Sequence, residues 1–542
     1  MIAAFSLPDS ESSPSRAVVP SSAAARAQAL APISASTIDL SIARRLLDEA
    51  ACSGLEKITE LSTFKGLFLQ KPDRRVRRSK GLDARHVGDL ESWGVAKQAA
   101  SFNCILSSFL VLKKSGGTRL IINAKPINRI QTEPAPLNLP TVHGLLARIA
   151  SASFAATVDV TSAFYQFALD DRIARFFTIA ISRQRGKPRL FTVDRMPMGW
   201  KHAPSICQNF MAGICRLVVQ RCAALRCFVD ADVWLDNFIF LSETKTDLKI
   251  ALEVFKGVAA EINLQTHDVV EASRNNVIKF LGLQIHLREN PEEGSTFTFT
   301  DEWIGNLQSK LEIADHTHRS FAGVIGSLIW GTFVTTTPLA LFPSIVRDIV
   351  QLASDAPTNG WDAPFVPTSL AECKQLQNAL KKPFPCDSRP HKVVPLYSDS
   401  TLMWYAWQCG QVAEGGEWTD FEADIFVKEA LAASNAILCA ANRLQHHCLH
   451  LLVDNSALAF SWHKGHSHNE MVNTIMRNTV KCLPTTSSFV VSWVPTNCNP
   501  ADRFTRGEPF TRGEMASPRT VGNWATYLGI QTCQTHTRAA MY

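Results

Sequence analysis

The first 300 residues alternate between short apolar, β-branched runs and segments with helical periodicity. Residues Phe154 to Val160 form an apolar run that is typical of a buried strand. Two apolar runs flank Leu235-Asp236-Asn237, which predicts a β-hairpin whose Asn tolerates the positive φ of a tight turn. Apolar residues lie at helical spacing from Ile206 to Leu217 and from Leu248 to Ala259. The pattern therefore predicts a mixed α/β fold.

A low-complexity stretch precedes this pattern. Residues 1 to about 36 are rich in Ala, Ser and Pro, and we expect residues 1–60 to be a disordered arm that contains one short helix, Ile38 to Ala51. Five cations then fall between Arg74 and Lys80. They suit phosphate contacts or a nuclear import signal, and equally a solvated linker.

Residues 105–123 alternate like a β-hairpin. The strand Ile105 to Leu112 and the return strand Thr118 to Ile122 would bring Lys113, Lys114 and Arg119 to one tip. Cations at such a tip can clamp a triphosphate through charge-assisted hydrogen bonds. The alternative is a turn whose charges only aid solubility.

The pattern of apolar and polar residues changes twice in the second half of the chain. A strand with a central glycine, and hence a bend or bulge, is predicted from Val277 to Ile285. Helical periodicity follows from Glu302 to Phe333, and residues 335–390 are Pro-rich and resemble a connector. From about residue 391 short strands and helices alternate again.

Composition narrows the class of protein. The chain has 542 residues, 46% of them hydrophobic, and its net charge of +6 permits a polyanionic partner without requiring one. The 14 cysteines include no Cys-x-x-Cys pair, which favours reduced, buried thiols over disulfides or a zinc site. No apolar run has the length of a membrane span and no signal pattern begins the chain, so we expect a soluble intracellular protein without membrane contact.

Two acids are the first candidates for chemistry. Asp159 comes at the end of a buried strand, where an unpaired carboxylate is costly. Alternation along a strand would place Asp236 and Asn237 on opposite sides, and we expect Asp236 to face Asp159. Two such carboxylates suit a pair of Mg²⁺ ions for phosphoryl transfer. Each acid could instead be a turn residue, and Asp230 and Asp232 are rival ligands.

The order of several motifs resembles the reverse transcriptases of retroelements. These motifs are Asp159 with Phe164, the stretch Met196–Ser205, the Asp236 hairpin and Phe280-Leu281-Gly282. Four later acids resemble the ribonuclease H domain that often follows: Asp399, Glu429, Asp454 and Asp502. The resemblance spans residues 85–510, and Met-Pro-Met-Gly-Trp-Lys-His-Ala-Pro is most similar to DIRS-like tyrosine-recombinase retrotransposons of the VIPER type.

The resemblance implies an architecture. It is an α/β (α+β) multidomain fold with a right-hand polymerase followed by a ribonuclease H-like domain. Fingers and palm would occupy residues 61–295, thumb and connector 296–390, and the ribonuclease H-like domain 391–515, before a tail at 516–542. The partners would be an RNA template, a DNA primer, the RNA–DNA hybrid and deoxynucleoside triphosphates.

The resemblance also implies residue roles. Asp159 and Asp236 would hold Mg²⁺ or Mn²⁺ for DNA synthesis. A second metal site, for RNA hydrolysis, would be formed by Asp399, Glu429, Asp454 and Asp502. The triphosphate would be bound by Arg119 with Lys113 or Lys114. The aromatic ring of Phe164 would exclude a ribose 2′-hydroxyl. Gly199 would let the backbone pass close to the new base pair, and Phe280 to Gly282 would support the primer terminus.

Alternatives exist for the second site and for the whole assignment. Each of its acids could be a helix cap or turn residue, Glu422 and Asp424 compete with Glu429, and the histidines at 463, 466 and 468 are read as a polar loop. Asn237 stands where the family usually has a second acid, and Met198 where a Gln is common. There are therefore two rival functions. One is a retroelement protein's binding of nucleic acid without catalysis, and the other is RNA-templated RNA synthesis.

Overall fold

The chain folds into two compact units. The computed structural model describes residues 30, 33, 36–72, 82, 84–112, 118–181, 188–273, 276–287, 295–335, 337, 339–386, 393–418, 422–444, 448–483 and 488–508. Within these, the N-terminal unit comprises residues 30–300 and 383–386, and the C-terminal unit comprises residues 301–382 and 393–508. Both units combine helices with sheets, which confirms the expected multidomain α/β fold class.

The secondary structure of the N-terminal unit follows the alternating pattern of the sequence. Its helices are α1 (Leu40–Leu46), α2 (Glu49–Cys52), α3 (Glu56–Thr59), α4 (Leu61–Gly66), α5 (Ala84–Ser92), α6 (Lys125–Asn128), α7 (Val142–Ser151), α8 (Asp171–Ala174), α9 (Ala203–Ala224) and α10 (Lys245–Glu261). Its strands are β1 (Ala96–Gln98), β2 (Ile105–Leu106), β3 (Ser108–Leu112), β4 (Thr118–Ile122), β5 (Phe154–Asp159), β6 (Thr178–Ile181), β7 (Arg189–Val193), β8 (Asp230–Trp234), β9 (Asn237–Ser242), β10 (Val270–Ser273), β11 (Val277–Phe280), β12 (Leu283–His286), β13 (Thr296–Phe299) and β14 (Phe384–Pro385).

The C-terminal unit begins with helices and ends with a sheet. Its helices are α11 (Asp301–Leu311), α12 (His318–Val334), α13 (Pro343–Asn359), α14 (Leu370–Leu380), α15 (Ile425–Arg443), α16 (Ser456–Lys464), α17 (Glu470–Cys482) and α18 (Asp502–Thr505). Its strands are β15 (Val393–Ser400), β16 (Trp404–Cys409), β17 (Val412–Glu417), β18 (Cys448–Val453) and β19 (Ser488–Trp493). Single turns of 3₁₀ helix span Ala163–Gln166, Leu339–Leu341 and Thr496–Cys498.

A four-stranded antiparallel sheet in the order β10-β5-β9-β8 lies at the centre of the N-terminal unit. Alternate residues of a strand share a face, so Phe238 and Phe240 of β9 both reach Phe255 of α10, with ring centroids 5.0 and 5.1 Å away. Helices α9 and α10 pack against each other and against this sheet. The other sheets have the orders β1-β7-β6-β2, β11-β12-β13-β14 and β3-β4, and the last is the predicted hairpin of residues 105–123.

Residues 36–60 are not the disordered arm that the sequence predicts, although the helix expected within it, from Ile38 to Ala51, is present in two pieces, α1 and α2. They form helices α1 to α3, and Ala43, Leu55 and Ile58 are buried in the main core of the unit. Helix α2 lies so close to α9 that a Cβ atom at Gly213 would come within 2.1 Å of the Ala51 Cβ. The prediction is wrong for these residues because their few apolar side chains find partners far along the chain. Residues 1–29 lie outside the described residues, as do Arg74 to Lys80 and the tail.

The predicted strand from Val277 to Ile285 is instead a hairpin of β11 and β12. Phe280 pairs with Leu283 across a two-residue turn. Leu281 and Gly282 both have positive φ, 52° and 79°, which is the geometry of a type I′ turn. The prediction is wrong here because leucine rarely adopts this conformation and gave no turn signal.

Residues 335–390 are not the unpatterned connector that their prolines suggested. They contain α13 and α14, which pack with α11 and α12. The two helices cap each other: Asp348 accepts the Ser369 N–H at 3.0 Å near the start of α14, and Glu372 accepts the Ile345 N–H at 3.0 Å near the start of α13. Proline content was a misleading sign of a connector, because Pro343 begins a helix, where a missing N–H breaks no hydrogen bond.

The sheet of the C-terminal unit has the order β17-β16-β15-β18-β19. Strand β16 runs antiparallel to β15 and β17, whereas β18 runs parallel to β15 and β19. Helix α15 packs on the sheet, and its residues Val427 to Ala441 are buried. Because Ser398 lies opposite Val453, the residues that follow, Asp399 and Asp454, come to the same edge.

Among the described residues, α15 is the one helix whose length and apolar content would allow a membrane crossing, and 83% of its most apolar 18-residue window is buried in the protein. A core helix of a folded domain has the same properties. The cysteines among the described residues are free thiols, most of them buried, as the sequence predicts.

Candidate functional site

The structure brings the first two predicted acids together at the end of the central sheet. Asp159 is the last residue of β5, and Asp236 lies in the two-residue turn between β8 and β9. The Val160 N–H donates to the Asp236 carbonyl oxygen at 2.8 Å, and the His267 N–H donates to the Asp159 carbonyl oxygen at 2.8 Å. Backbone bonds on both sides therefore fix the main-chain positions from which the two carboxyl groups project.

The charges of this pair are partly compensated by the protein. Desolvation raises the pKa of Asp159, and the neighbouring charge of Asp236 raises it further. Desolvation also raises the pKa of Asp236, while the Arg119 cation and the Asn237 amide, which donates to Asp236 Oδ1 at 3.0 Å, lower it. Two desolvated carboxylates, one of which disfavours the ionised form of the other, suit a shared divalent cation.

Strand alternation predicted that Asn237 points away from Asp159. In the structure it does not. The two residues are directly opposite each other in the β5–β9 pairing. Side chains of directly opposed residues share one face of a sheet. The prediction is wrong because Asp236 lies in the turn, where alternation does not apply. Asn237 therefore belongs to the site.

The positive φ of this turn belongs to Leu235, at 57°, and not to Asn237. A leucine in this conformation is strained, and strain of this kind collects at functional sites. The strain is held in place by Gln208 of α9, whose side chain accepts the Leu235 N–H at 2.7 Å and donates to the Val233 carbonyl oxygen at 3.0 Å.

Three of the predicted nucleotide-binding residues lie on separate segments of the same unit, and the charge of one of them, Arg119, acts on Asp236. Arg119, exposed on β4, lowers the pKa of Asp236 by its charge. Phe164 is half-buried in the 3₁₀ turn that follows β5. Gly199 has a φ of 94°, and a Cβ atom there would come within 3.1 Å of the Ile122 carbonyl oxygen at the end of β4. Lys113 and Lys114 lie outside the described residues.

Phe280 and Gly282 belong to the β11–β12 hairpin of the same unit. Phe280 is buried, and the Gly282 carbonyl oxygen accepts the Thr300 N–H at 3.0 Å. The rival ligands Asp230 and Asp232 both form ion pairs with Arg148. Asp230 lies at the start of β8, away from the turn that carries Asp236.

The second set of acids gathers at one edge of the C-terminal sheet. Asp399 lies near the end of β15, Asp454 follows β18, and Asp502 begins α18. Each offers a carboxylate oxygen, and these three oxygens lie within 4.8 Å of one another. The Thr505 hydroxyl donates to Asp399, and Arg506 Nε lies 2.7 Å from Asp502 Oδ2.

Glu429 joins this cluster from the buried side. Desolvation, followed by the charges of Asp399 and Asp454, raises the pKa of Glu429 to about 9. Desolvation, with the charges of Asp454 and Asp502, raises the pKa of Asp399 to about 6. Among the described residues, Glu429 Oε2 and Asp454 Oδ1 are buried without a hydrogen-bond partner. These two unpaired carboxylate oxygens, beside the other acids of the cluster, suit a hard divalent cation.

The alternatives to Glu429 have other roles in the fold. Asp424 caps helix α15 by accepting the Val427 N–H at 2.9 Å, and Glu422 is exposed. His466 and His468 stand with ring centroids 6.4 Å apart, and desolvation lowers the pKa of His466 to about 4. Within the described residues, the one group of three potential metal ligands is that of Asp399, Asp454 and Asp502.

Two side chains beside the second cluster were missed in the sequence. Arg506 follows Asp502 at the i,i+4 spacing of a helical ion pair, a signal that the sequence does contain. Trp493 is half exposed, and its indole N–H donates to the Asp454 carbonyl oxygen at 3.0 Å. Nothing in the sequence around Trp493 distinguishes it from a core aromatic residue.

Comparison with known proteins finds one family. Residues 111–285 match the family model described as reverse transcriptase (RNA-dependent DNA polymerase). The matched residues include β5, the Asp236 turn and the β11–β12 hairpin.

Two curated relatives are polyproteins. Over 168 residues the chain is 25% identical to the retrovirus-related Pol polyprotein from transposon opus of Drosophila melanogaster, covering 30% of this chain and 15% of that protein. Over 248 residues it is 24% identical to the Pol polyprotein of caprine arthritis encephalitis virus (strain Cork), covering 44% of this chain and 20% of that protein. The chain thus matches a fifth or less of the length of these relatives.

Solved structures with a similar chain trace include a foamy viral protease-reverse transcriptase. In its complex with an RNA/DNA hybrid, the match covers 89% of this chain and 65% of that chain, with 13% identity and a TM-score of 0.46. In its complex with double-stranded DNA, the match covers 85% of this chain and 98% of that chain, again with 13% identity and a TM-score of 0.46.

Proposed function

We propose that this chain, whose residues 111–285 form a reverse transcriptase domain, extends a DNA primer along an RNA template and cleaves the RNA of the resulting hybrid. The observation that carries the first activity is the placement of Asp159 and Asp236 at neighbouring ends of β5 and β9. The cluster of Asp399, Asp454 and Asp502 carries the second.

The residues of the first site divide the work of nucleotide addition. Asp159 and Asp236 would hold Mg²⁺ or Mn²⁺, which when bound activates the primer 3′-hydroxyl and neutralises the departing pyrophosphate. Arg119, with Lys113 or Lys114, binds the phosphates of a deoxynucleoside triphosphate. Phe164 excludes a ribose 2′-hydroxyl by its bulk.

Glycine and aromatic residues position the rest of the substrate. Gly199 keeps the backbone close to the end of β4, and leaves room for the forming base pair. Phe280 and Gly282, in the tight β11–β12 hairpin, support the primer terminus.

The second site performs hydrolysis. Asp399, Glu429, Asp454 and Asp502 would hold the divalent ions that direct water at an RNA phosphate. Recognition of 2′-hydroxyls and of groove shape, rather than of base sequence, would restrict cleavage to the RNA strand of a hybrid.

The subgroup proposed for the element is the DIRS-like one. It is supported by the phrase Met-Pro-Met-Gly-Trp-Lys-His-Ala-Pro, in which Met198 replaces a common Gln.

Two assays on the full chain test the proposal. A labelled DNA primer on an RNA template should lengthen with deoxynucleotides and Mg²⁺ or Mn²⁺, and a labelled RNA in a preformed hybrid should be cut. Extension with ribonucleotides in preference to deoxynucleotides would instead identify an RNA polymerase.

A second candidate is a protein that binds nucleic acid without catalysis. Asn237 favours it, because one family acid is replaced by an amide that already bonds to Asp236. Binding of the primed template without extension, with either metal, would decide for this candidate.

A further inference from the structure

The guanidinium group of Arg506 stands at the edge of the second acidic cluster. Its Nε lies 2.7 Å from Asp502 Oδ2, and 67% of its side chain is exposed to solvent. Asp502 contributes one of the three carboxylate oxygens that lie within 4.8 Å of one another. A positive charge is therefore held beside the carboxylates at which an RNA phosphate would react.

Within the part of the chain that the structure describes, most of the donor capacity of Arg506 is unused. A guanidinium carries five N–H donors in a planar fork. Asp502 Oδ2 is the partner that the described part of the chain gives to Arg506, and it engages Nε. Arg503, by contrast, lies over the Phe504 ring at 4.3 Å. Arg506 is thus anchored on one side and open to solvent with its remaining donors.

We propose that Arg506 binds a phosphate of the RNA strand at or beside the bond that is cut. The inference rests on the proposed nuclease function of this cluster. Arginine forks bind phosphate oxygens through two parallel hydrogen bonds, which fix both position and orientation. The Asp502 contact removes part of the freedom of the long side chain before the substrate arrives, so less entropy is lost on binding.

The exposed position distinguishes this role from charge neutralisation alone. A cation that served only to balance the carboxylates would bind best when buried among them. Arg506 instead engages one acid at the rim and leaves the buried Glu429 without a hydrogen-bond partner for Oε2 among the described residues. The arrangement suits a group that faces incoming nucleic acid.

The test compares R506Q and R506K with R503Q, a control that removes a charge from α18, three residues before Arg506. Cleavage of a labelled RNA in a hybrid is measured under single-turnover conditions across Mg²⁺ concentrations. R506Q should lower kcat/KM about 100-fold, the scale of losing one donor to developing charge. R506K should recover part of this loss, because it keeps the charge without the fork, and R503Q should stay close to wild type.

Binding provides an independent readout. In a D454N background, which prevents cleavage on the proposed function, the affinity for hybrid is measured from low to high salt. R506Q should reduce the slope of log K against log salt by about 1, as expected for one lost phosphate contact. R503Q should leave the slope unchanged.

The outcomes separate the inference from the function on which it rests. If wild-type protein cuts hybrid but R506Q cuts equally well or better, Arg506 only balances the carboxylates and the inference is wrong. An unchanged salt slope in R506Q overturns it as well. If wild-type protein cuts no hybrid, the nuclease function itself fails. Unchanged thermal unfolding of R506Q excludes misfolding as the cause of a loss.

Discussion

Asp159 is exposed at the end of a sheet whose turn also supplies Asp236, whereas Asp399 and Glu429 are buried at the edge of a different sheet, with 4% and 7% of their surface exposed. The first pair has protein donors nearby, since Arg119 and Asn237 lower the pKa of Asp236. In the second cluster, Asp454 and Glu429 each carry a buried oxygen without a partner among the described residues.

This difference teaches how each site meets the cost of gathering like charges. In the N-terminal unit the two acids are only partly withdrawn from water, and Arg119 and Asn237 partly compensate Asp236. The C-terminal unit packs four acids together and raises the pKa of Asp399 to about 6 and that of Glu429 to about 9. The second site should therefore depend more strongly on pH and on bound metal.

The largest expected effect is the separation of the two activities. D159N or D236N should lower primer extension by at least about 1,000-fold, because several kcal/mol of metal-dependent stabilisation is lost. Hybrid cleavage by these variants should persist. D399N or D454N should instead lose hybrid cleavage and keep primer extension. Both assays are run on each variant.

D232N is the matched control on the same hairpin as D236N. Its carboxylate pairs with Arg148, and Asp230 remains to hold that cation. Extension by D232N should stay close to wild type. A loss in D232N as large as that in D236N would contradict the assignment of Asp236.

The next effect concerns stability without metal. Glu429 ordinarily titrates near 4.5, so its raised pKa makes the native state bind more protons than the unfolded state from about pH 4.5 to 9. The free energy of unfolding must then fall as pH rises through this window. In EDTA at pH 8, E429Q should be more stable than wild type by about 2 kcal/mol or more, measured by thermal unfolding.

This advantage of E429Q should vanish near pH 4.5 and shrink when Mg²⁺ is added at pH 8, since metal binding stabilises the ionised acids of the wild type. D159N, at the exposed site, should show a smaller change. Equal responses of E429Q and D159N would remove the contrast between the two sites.

A smaller effect should follow from F164A in the first site. Removing the ring opens space for a ribose 2′-hydroxyl and should raise ribonucleotide incorporation relative to deoxynucleotide incorporation about 10-fold. Single-nucleotide extension with each substrate measures the ratio. An unchanged ratio would assign Phe164 to the core, against which it partly packs.

The smallest expected effect is that of N237D. The substitution adds a carboxylate opposite Asp159 and removes the amide that bonds to Asp236. Greater negative charge should lower the Mg²⁺ concentration for half-maximal extension about 3- to 10-fold. An increased requirement would mean that the Asn237 hydrogen bond matters more than the added charge.

Local pattern predicted much of this architecture. Apolar runs located β5 and β9, and helical spacing located α9 and α10, because in these elements the local preference and the final environment agree. The carboxylates of the second cluster were also placed on the right kinds of element: two strand ends, one helix and one helix start.

The failures have physical causes that a single sequence hides. Leu235 and Leu281 both adopt positive φ, a conformation that leucine avoids and that only tertiary contacts such as the Gln208 hydrogen bond sustain. Helices α13 and α14 rely on Asp348 and Glu372, each of which caps the neighbouring helix. Such partners are distant in sequence, so no local pattern reveals them.

The close approach of Ala51 to Gly213 has a practical consequence for shortened versions of the protein. A fragment that begins at residue 61, where the recognisable motifs have yet to start, would strip the small helices from α9 and leave an apolar groove open to water. Such fragments should aggregate or resist purification even though they retain all the proposed metal-binding carboxylates. Expression trials should accordingly keep the chain from at least residue 30 onward, since Leu30 and Ile33 are buried in the same core.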